Sequence, residues 1–477
     1  MAQPSLQPEI LSRLREVLEP RHIVTDADEL APRLIDWRRK YTGAAQALVK
    51  PGTTAEVAAV VRACADTGTP IVPQGGHTGL VGGSTPDLDG RAVILSSERL
   101  TRIRDVDPLN NTMTVEAGCI LQTLQAAAAR HDRLFPLSLA AEGTCRIGGN
   151  LATNAGGLNV LRYGNARDQV LGLEVVLPDG RVWDGLRTLR KDNTGYDLKQ
   201  LFVGSEGTLG IITAATLKLQ PQPLETATAV CAVRDLDAAL ALLGRCQQAT
   251  AQSLTSFELI PRLGIQLSLQ HVAGSVDPLD RAYDWYVLVE AKGGHGDGGL
   301  KAALESALMQ AYEDGLVLDA APAESAGQAQ AFWHLREAVV EAQRHEGGSI
   351  KHDIAVPVSS VPAFLAEATA RVHELVPGVR PVPFGHLGDG NLHFNLTQPK
   401  GADTQAFLAR WDEVNAAVHD IVASYRGSIS AEHGIGQMKV AENARFKPPI
   451  ELELMRTLKR SLDPQNIMNP GKVIDVG

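Results

Sequence analysis

Three short segments rich in glycine and small polar residues constrain this chain more than any other feature of its sequence. They span residues 73–84, 143–157 and 204–213, all in the first half of the chain. Glycine allows backbone N–H groups to surround an anion without interference from a Cβ atom. One such segment would predict only a tight turn, whereas three of them favour a shared site for a ligand that carries a pyrophosphate.

The pattern around these segments predicts helices and short strands, followed by a change of architecture. Apolar residues recur with helical spacing over 53–69, and a hairpin turn at 178–180 separates two apolar runs. The Gln-Pro-Gln-Pro sequence at 220–223 is typical of a domain boundary. Beyond it, strands alternate with helices, which predicts an antiparallel sheet covered by helices and an α+β fold class.

Composition excludes several functional classes. The chain has 477 residues and a formal net charge of −10 without a basic cluster, so a nucleic-acid partner has no electrostatic basis. No apolar run is long enough to predict a membrane span, and the first eight residues lack the features of a signal peptide. The five cysteines are scattered, which predicts free thiols and a cytoplasmic location.

Histidines and a glutamate in the second half predict a metal centre. His386 and His393 flank a Gly-Asp-Gly-Asn turn, which predicts a hairpin with the two imidazoles close together. Glu432 and His433 lie farther on, in another segment that contains glycine. Two imidazoles and a carboxylate leave open coordination positions on a divalent ion, as catalysis requires, and zinc is favoured over manganese or iron.

A second glycine pattern resembles a dinucleotide-binding motif but is better interpreted as a loop. Residues 294–299 match the G-x-G-x-x-G outline of a dinucleotide-binding turn, between a predicted strand and a predicted helix. They lie in the α+β half without a complete βαβαβ unit around them. We therefore interpret this segment as a surface loop and do not expect a nicotinamide cofactor.

The three glycine-rich segments, with residues 162–164 and 190–199 between the last two, resemble the FAD-binding domain of the vanillyl-alcohol-oxidase-type flavoproteins. Within that superfamily the chain is most similar to the branch of D-2-hydroxyglutarate and D-lactate dehydrogenases, from about residue 40 to the C-terminus. The resemblance implies a two-part FAD-binding domain over 1–222 with an N-terminal helical segment. It also implies an α+β substrate- and metal-binding cap with an antiparallel sheet over 223–445, and a C-terminal segment, 446–477, that returns to the FAD site.

The same resemblance implies which residues contact FAD. They are Pro73, Gln74, Gly75, Gly76, His77, Thr78, Gly79, Gly82, Gly83, Ser84, Gly143, Thr144, Gly148, Gly149, Asn150, Thr153, Asn154, Gly207, Ile211, Asn469 and Lys472. Relatives with a Gly-Gly-His turn attach FAD covalently through the histidine, whereas this branch commonly has asparagine there. For His77 we expect an ordinary non-covalent contact.

Roles in the second half also follow from the resemblance. His386, His393 and Glu432 match the family's metal ligands, and His433 matches its catalytic base. The substrate contacts implied are Arg336 for the C1 carboxylate, Lys351 for a distal carboxylate, Asn395 and His433.

The expected reaction is oxidation of a D-2-hydroxy acid, with D-2-hydroxyglutarate favoured because Lys351 is present. Val340 stands where the 2-hydroxyglutarate enzymes can have threonine, so D-malate, D-lactate and glycolate stay open. A flavin-dependent non-redox synthase of the same fold, an NAD enzyme and a non-catalytic flavin-binding protein are the competing hypotheses. The expected electron acceptor is external, such as an electron-transfer flavoprotein or a quinone-linked carrier. Whether the chain forms a homodimer stays open.

Overall fold

The computed structural model describes residues 8–294 and 296–476. Residues 1–7, where no signal peptide is expected, and His295 of the glycine-rich segment 294–299 lie outside the described residues. The chain divides into two compact units. Unit 1 comprises Met1–Gly157, Gly164–Gln222 and Glu432–Gly477, and unit 2 comprises Leu158–Tyr163 and Pro223–Ala431.

The helices and strands occur in mixed order along the chain. The α-helices are α1 (Pro8–Val17), α2 (Ala27–Leu34), α3 (Thr54–Thr67), α4 (Leu121–Ala129), α5 (Ile147–Ala152), α6 (Val160–Tyr163), α7 (Lys199–Phe202), α8 (Leu236–Ala249), α9 (Arg262–His271), α10 (Gly299–Glu313), α11 (Ala326–Ala342), α12 (Val361–Leu375), α13 (Thr404–Leu408), α14 (Trp411–Ser424), α15 (Val440–Phe446) and α16 (Pro449–Leu462). The strands of unit 1 are β1 (Ile23–Val24), β2 (Ala47–Val49), β3 (Ile71–Gln74), β4 (Val93–Ser96), β5 (Ile103–Asp107), β6 (Thr112–Glu116), β7 (Arg133–Leu134), β8 (Val170–Val176), β9 (Val182–Gly185), β10 (Ile211–Lys218) and β11 (Gln220–Pro221). Those of unit 2 are β12 (Glu225–Val233), β13 (Leu254–Pro261), β14 (Trp285–Gly293), β15 (Val317–Pro322), β16 (Ser349–Ile350), β17 (Asp353–Ala355), β18 (Arg380–His386) and β19 (Asn391–Thr397).

Unit 1 contains two larger sheets with different strand directions and a two-stranded sheet of β7 and β11. In the first, β2 and β3 run parallel to β4, with the short β1 antiparallel at the edge. The second is antiparallel, in the order β5-β6-β10-β8-β9. Helix α3 packs its apolar face on the first sheet, and the Thr53 side chain caps it by accepting the Glu56 N–H. The helix predicted over 53–69 and the hairpin at 178–180 are both found.

Unit 2 is built on one antiparallel sheet in the order β15-β12-β14-β13-β18-β19-β16, with β17 also paired to β19. Helices α9 and α11 cover one face, where their apolar residues join those of β12, β13, β14 and β18 in one core. The sheet contains no parallel pair among the described residues, so the glycine-rich segment after β14 cannot be the turn of a parallel βαβ unit.

The unit boundaries differ from the predicted domains in two places. Residues 158–163 group with unit 2, where the Ser256 hydroxyl donates to the Leu158 carbonyl in front of α6. Residues 432–445 group with unit 1 rather than with the predicted cap. The reason for the second difference is that the backbone of this segment bonds to unit 1, for instance from the N–H of Gln437 to the carbonyl of Val81.

Candidate active site

A cavity in unit 1 is lined by most of the residues that the resemblance assigned to FAD. Fifteen of the predicted contacts line it: Pro73, Gln74, Gly75, Gly76, His77, Thr78, Gly79, Gly83, Ser84, Gly148, Gly149, Asn150, Thr153, Gly207 and Ile211. His433, the predicted base, lines the same cavity.

The cavity lies at the carboxyl ends of two parallel strands. Gln74 ends β3 and leads into the first glycine-rich segment, and Ser97 follows the neighbouring β4. The Ser97 N–H donates to the Gln74 carbonyl at 3.0 Å, which holds the two strand ends together. Ligands of open α/β sheets bind at this end of the strands, so the topology and the cavity agree.

Close contacts with neighbouring atoms explain why two of the glycines are required. A Cβ atom on Gly76 would overlap the carbonyl oxygen of Thr144 and lie 2.8 Å from the Cα atom of Cys145. A Cβ atom on Gly148 would lie 2.6 Å from the Ala117 Cβ atom. The first two glycine-rich segments therefore touch through backbone, and together they form one wall of the cavity.

Two buried oxygens in the cavity wall, one an acceptor and the other a hydroxyl, indicate a polar ligand. Asn150 Oδ1 and Ser97 Oγ both belong to lining residues, and neither has a hydrogen-bond partner among the described residues. Leaving a buried polar atom unpaired is costly in free energy. FAD offers hydrogen-bond donors and acceptors and a pyrophosphate, so the polar atoms and the glycine-lined wall fit FAD.

His77 lines the cavity, but both of its ring nitrogens are engaged by protein groups. Nε2 lies 2.8 Å from the Ile35 carbonyl oxygen, and Nδ1 lies 2.9 Å from the Ser84 hydroxyl. Burial lowers the pKa of His77 below its usual value. The neutral ring then donates from Nε2 to the carbonyl and accepts from Ser84 at Nδ1.

The structure places six of the predicted FAD contacts outside the cavity lining: Gly82, Gly143, Thr144, Asn154, Asn469 and Lys472. Several of them support the wall instead. Asn469 donates from Nδ2 to the carbonyls of Gly83 and Glu206, and the fully buried Lys472 donates from Nζ to Asp87. Their predicted direct contact with FAD remains a prediction.

Glu206 fixes the segment that carries His433. Its buried carboxylate accepts the N–H groups of Ile435 at 2.7 Å and Gly436 at 2.8 Å. Burial raises the pKa of Glu206 above its usual value, against the opposing effect of these two N–H donors. Because His433 lies two residues before Ile435, this anchoring sets where its imidazole enters the cavity.

The predicted hairpin in unit 2 is present and brings two histidines together. Strands β18 and β19 pair so that His386 lies opposite Asn391 and Phe384 lies opposite His393. The two histidines are therefore diagonal neighbours on one face of the sheet. Their ring centroids are 5.9 Å apart, close enough for both imidazoles to reach one metal ion.

Glu258 connects this histidine pair to Arg336. It lies directly opposite His386 in the pairing of β13 with β18. One carboxylate oxygen is 2.7 Å from His386 Nδ1, and the other accepts from Nε and Nη2 of Arg336 at 2.8 and 2.7 Å. Burial opposes ionisation, but the interactions with His386 and Arg336 outweigh it and lower the pKa of Glu258 to about 2. The carboxylate is therefore charged at neutral pH.

The remaining predicted substrate residues lie on or near the same sheet. Asn395 is buried on β19, where its amide donates to Gln343 at 2.9 Å. Lys351 is half-buried between β16 and β17. Val340 lies one helical turn after Arg336 on α11 and is 38% exposed.

Glu432 is tied to this region by chain connectivity. Ala431, the last residue of unit 2, donates its N–H to the Asp353 carbonyl at 3.3 Å. Asp353 is the residue of β17 that lies opposite His393. Glu432 follows Ala431 directly, so its backbone begins one peptide bond from that anchor.

Comparisons with known proteins identify the family. A family described as FAD linked oxidases, C-terminal domain, matches residues 222–473, and one described as FAD binding domain matches residues 45–185. A probable D-2-hydroxyglutarate dehydrogenase, mitochondrial, from Oryza sativa subsp. indica is 40% identical over 97% of this chain and 81% of its own length. The chain belongs to the FAD-linked oxidases. A D-2-hydroxyglutarate dehydrogenase from Xanthomonas citri pv. viticola is 37% identical over 98% of this chain and 97% of its own length.

The fold of this FAD-linked oxidase is shared with solved flavoenzymes. A structure of p-cresol methylhydroxylase with substrate bound superposes with a TM-score of 0.77 at 18% identity, covering 98% of this chain and 97% of that chain. The predicted fold class, FAD as the cofactor, and a dehydrogenase of the D-2-hydroxy-acid branch are confirmed at this level.

The predicted cellular location is wrong. The names of the rice relative and of other plant and animal relatives give a mitochondrial location, which overturns the cytoplasmic one inferred from cysteine usage. Scattered free cysteines indicate only a reducing environment, and they do not distinguish between compartments. Within residues 8–294 and 296–476, no helix has the length and apolar character needed to cross a bilayer.

Glu258 and Glu206 are the functional candidates that sequence reasoning missed. Glu258 is the single charged residue of the strand Leu254–Pro261, in which every residue is buried. A charged residue inside an apolar run needs a buried partner, and this was the signal available for it. Glu206 lies within the third glycine-rich segment, in which a role was predicted for a glycine but none for the glutamate.

The hydrogen bonds of His77 predict that FAD is held without a covalent bond. A covalent link would require one ring nitrogen to give up either Ile35 or Ser84. We expect acid precipitation of the protein to release all of its flavin into the supernatant, measured by fluorescence. Flavin fluorescence that stays with the denatured polypeptide on a gel would contradict this.

Proposed function

We propose that the enzyme oxidises a D-2-hydroxy acid, with D-2-hydroxyglutarate the first candidate, at a divalent metal held by His386, His393 and Glu432. The observation that carries the proposal is the joint anchoring of His386 and Arg336 by Glu258. It brings a histidine pair suited to metal binding and a guanidinium suited to carboxylate binding together on one face of the unit 2 sheet. The names of the relatives agree with the substrate.

The donor set fits a catalytic metal. Two imidazoles and one carboxylate leave coordination positions open for a substrate, and zinc, manganese and iron all accept such ligands. The bond from His386 Nδ1 to a buried carboxylate is the outer-shell arrangement typical of metal-binding histidines. Zinc is our first choice.

The substrate carboxylates have separate partners in unit 2. Arg336 would bind the C1 carboxylate, for which its planar guanidinium is well suited. Lys351 would bind the distal carboxylate of a dicarboxylic substrate. Asn395 would donate from its amide to the substrate, and Gln343 limits the orientation of that amide.

The reaction removes a hydride from C2 and a proton from the C2 hydroxyl, giving a 2-oxo acid. When bound, FAD would supply the hydride acceptor, and a metal held by His386, His393 and Glu432 would lower the pKa of the hydroxyl. His433 would take the hydroxyl proton on its imidazole, and Glu206 holds the segment that positions it. An external acceptor, such as an electron-transfer flavoprotein or a quinone-linked carrier, would then reoxidise the enzyme.

The test is anaerobic stopped-flow reduction of the flavin. The purified holoenzyme is mixed with D-2-hydroxyglutarate, D-malate, D-lactate or glycolate, and with L-forms of the chiral acids, before and after treatment with a chelator. We expect fast bleaching of the flavin absorbance by D-2-hydroxyglutarate, its loss after chelation, and recovery on adding Zn²⁺ or Mn²⁺. Bleaching by D-lactate alone would identify D-lactate, and not D-2-hydroxyglutarate, as the substrate. No bleaching by any acid would favour the non-redox synthase.

Replacing Val340 with threonine tests the distal carboxylate. Valine has no donor, and its partial exposure leaves room for a hydroxyl without disturbing the core. One added hydrogen bond of about 0.7–1.4 kcal/mol should lower KM for D-2-hydroxyglutarate by about three- to tenfold. D-lactate, which lacks the distal carboxylate, is the control in steady-state assays. An equal change for both acids would show that position 340 does not face that carboxylate.

A further inference from the structure

We propose that Glu258 is a positioning residue that sets two parts of the substrate site at once. It would select the tautomer in which His386 can bind a metal, and it would orient the guanidinium of Arg336 toward the substrate. This inference rests on the proposed function, because the metal and the substrate that it concerns are those proposed above. Glu258 touches neither of them in the proposed mechanism.

The geometry divides the carboxylate between its two partners. Glu258 Oε1 is 2.7 Å from His386 Nδ1, whereas Oε2 accepts both bonds from Arg336. The Glu258 side chain is only 1% exposed. Its partners come from different elements, with His386 on β18 and Arg336 on α11. One buried side chain on β13 therefore fixes a helix residue relative to a strand residue.

Hydrogen-bond chemistry determines the tautomer. An ionised carboxylate can only accept hydrogen bonds, so the neutral His386 imidazole must carry its proton on Nδ1. The lone pair is then on Nε2, which becomes the nitrogen that can ligate a metal. An amide in place of the carboxylate would change this arrangement.

The same bonds limit the orientation of Arg336. With Nε and Nη2 directed at Glu258, the Nη1 side of the guanidinium is the side that can bind a carboxylate. The guanidinium also lies 5.1 Å from the ring centroid of Phe384, and that ring lies 5.1 Å from the His393 ring. The plane of the guanidinium is therefore restrained on the side nearest the histidine pair.

A purely structural role is the competing explanation, and Glu290 provides the matched control for it. Glu290 is buried on the same sheet, on β14 opposite Ser256, which lies two positions before Glu258 on β13. It also anchors α11, since it accepts from Trp333 Nε1 at 2.8 Å. Its other partners are Thr228 and Lys292, and none of these bonds reaches His386 or Arg336.

The test compares Zn²⁺ binding by the wild-type holoenzyme with that of the variants Glu258→Gln and Glu290→Gln. Arginine can only donate, so in E258Q the carbonyl of the new amide must face Arg336 and its nitrogen must face His386 Nδ1. That moves the imidazole proton to Nε2 and blocks ligation. After metal removal and titration against a chromophoric chelator, we expect E258Q to bind Zn²⁺ about 10- to 100-fold more weakly. E290Q should stay within threefold of wild type.

A second readout concerns Arg336. At saturating Zn²⁺, E258Q should raise KM for D-2-hydroxyglutarate at least fivefold, because the guanidinium has lost its anchor. Glu258→Asp keeps the negative charge on a side chain that is one methylene shorter. It should recover part of the Zn²⁺ affinity lost in E258Q. If E258Q does not retain FAD, E258D carries the same comparison, with a Zn²⁺ affinity expected to be about three- to tenfold weaker than that of wild type.

The outcomes separate this inference from the proposed function. Zn²⁺ affinity of both Glu258 variants within threefold of wild type would overturn the positioning role, whatever happens to their thermal stability. An equal loss in E290Q would overturn it as well, because the effect would then come from the fold. Failure of the wild-type holoenzyme to bind Zn²⁺ would overturn the proposed zinc site together with this inference.

Discussion

Replacing His433 with glutamine should lower kcat with D-2-hydroxyglutarate by about 10²- to 10⁴-fold, the usual contribution of a general base. Glutamine keeps a polar side chain of similar reach but cannot accept the hydroxyl proton at neutral pH. The FAD content should be unchanged, because His433 is one of many residues that line the cavity. The anchoring of the neighbouring backbone by Glu206 does not depend on the His433 side chain.

The measurement is the rate of flavin reduction under single-turnover conditions, with two isotope effects. In H433Q, transfer of the hydroxyl proton should limit the rate more than in wild type. The solvent isotope effect should therefore rise, and the effect of deuterium at C2 should fall. His131→Gln is the matched control, since His131 is an exposed histidine of the same unit. H433Q retaining more than one tenth of the wild-type rate would assign the base to another group.

Much of unit 1 could be predicted from sequence because its signals are local. The cap of α3 involves Thr53 and a backbone N–H three residues later, and the turn between β8 and β9 is contained in residues 178–180. The boundary at residue 432 could not be predicted. It depends on contacts of Gly436 with Glu206 and of Gln437 with Val81, and these partners are hundreds of positions apart in sequence.

The candidate site shows the same division. The approach of His386 to His393 was predictable because a short turn and the strand period of two fix their register. The side chain that contacts both His386 and Arg336 could not be predicted, since Glu258 lies 128 positions from the first and 78 from the second. No local pattern encodes a pairing between distant strands. A single charged residue in an apolar strand indicates only that some partner exists.

The flavin cavity extends beyond the glycine-rich segments in a similar way. The three glycine-rich segments could be recognised in the sequence because their composition is unusual, and most of their glycines line the cavity. Ser97 and Ala117 also line it, although their surroundings carry no glycine-rich signature. They reach the cavity because sheet pairing brings strand ends together, which is a property of the topology rather than of any one segment.

Replacing Gly76 with alanine should prevent stable binding of FAD. The added Cβ atom would meet the backbone of Thr144 and Cys145, including the Cys145 Cα atom at 2.8 Å. Backbone cannot rotate away as the end of a flexible side chain can, so the two glycine-rich segments must separate. Those segments form one wall of the cavity, and their separation would displace the N–H groups that should surround the pyrophosphate.

We expect purified G76A to contain less than about one tenth of the wild-type FAD per chain, because a loss of about 2.7 kcal/mol weakens binding about a hundredfold. The ratio of flavin to protein absorbance and calorimetric titration of the apoprotein with FAD measure this. Gly244→Ala is the control. Gly244 lies in α8 with nothing within 4 Å of an added Cβ atom, so alanine there should keep full FAD content and stabilise the helix by about 0.5–1 kcal/mol. If G76A bound FAD as tightly as G244A, the contact between the two segments would not be part of the flavin site, and Gly148, which meets Ala117, would be the next position to test.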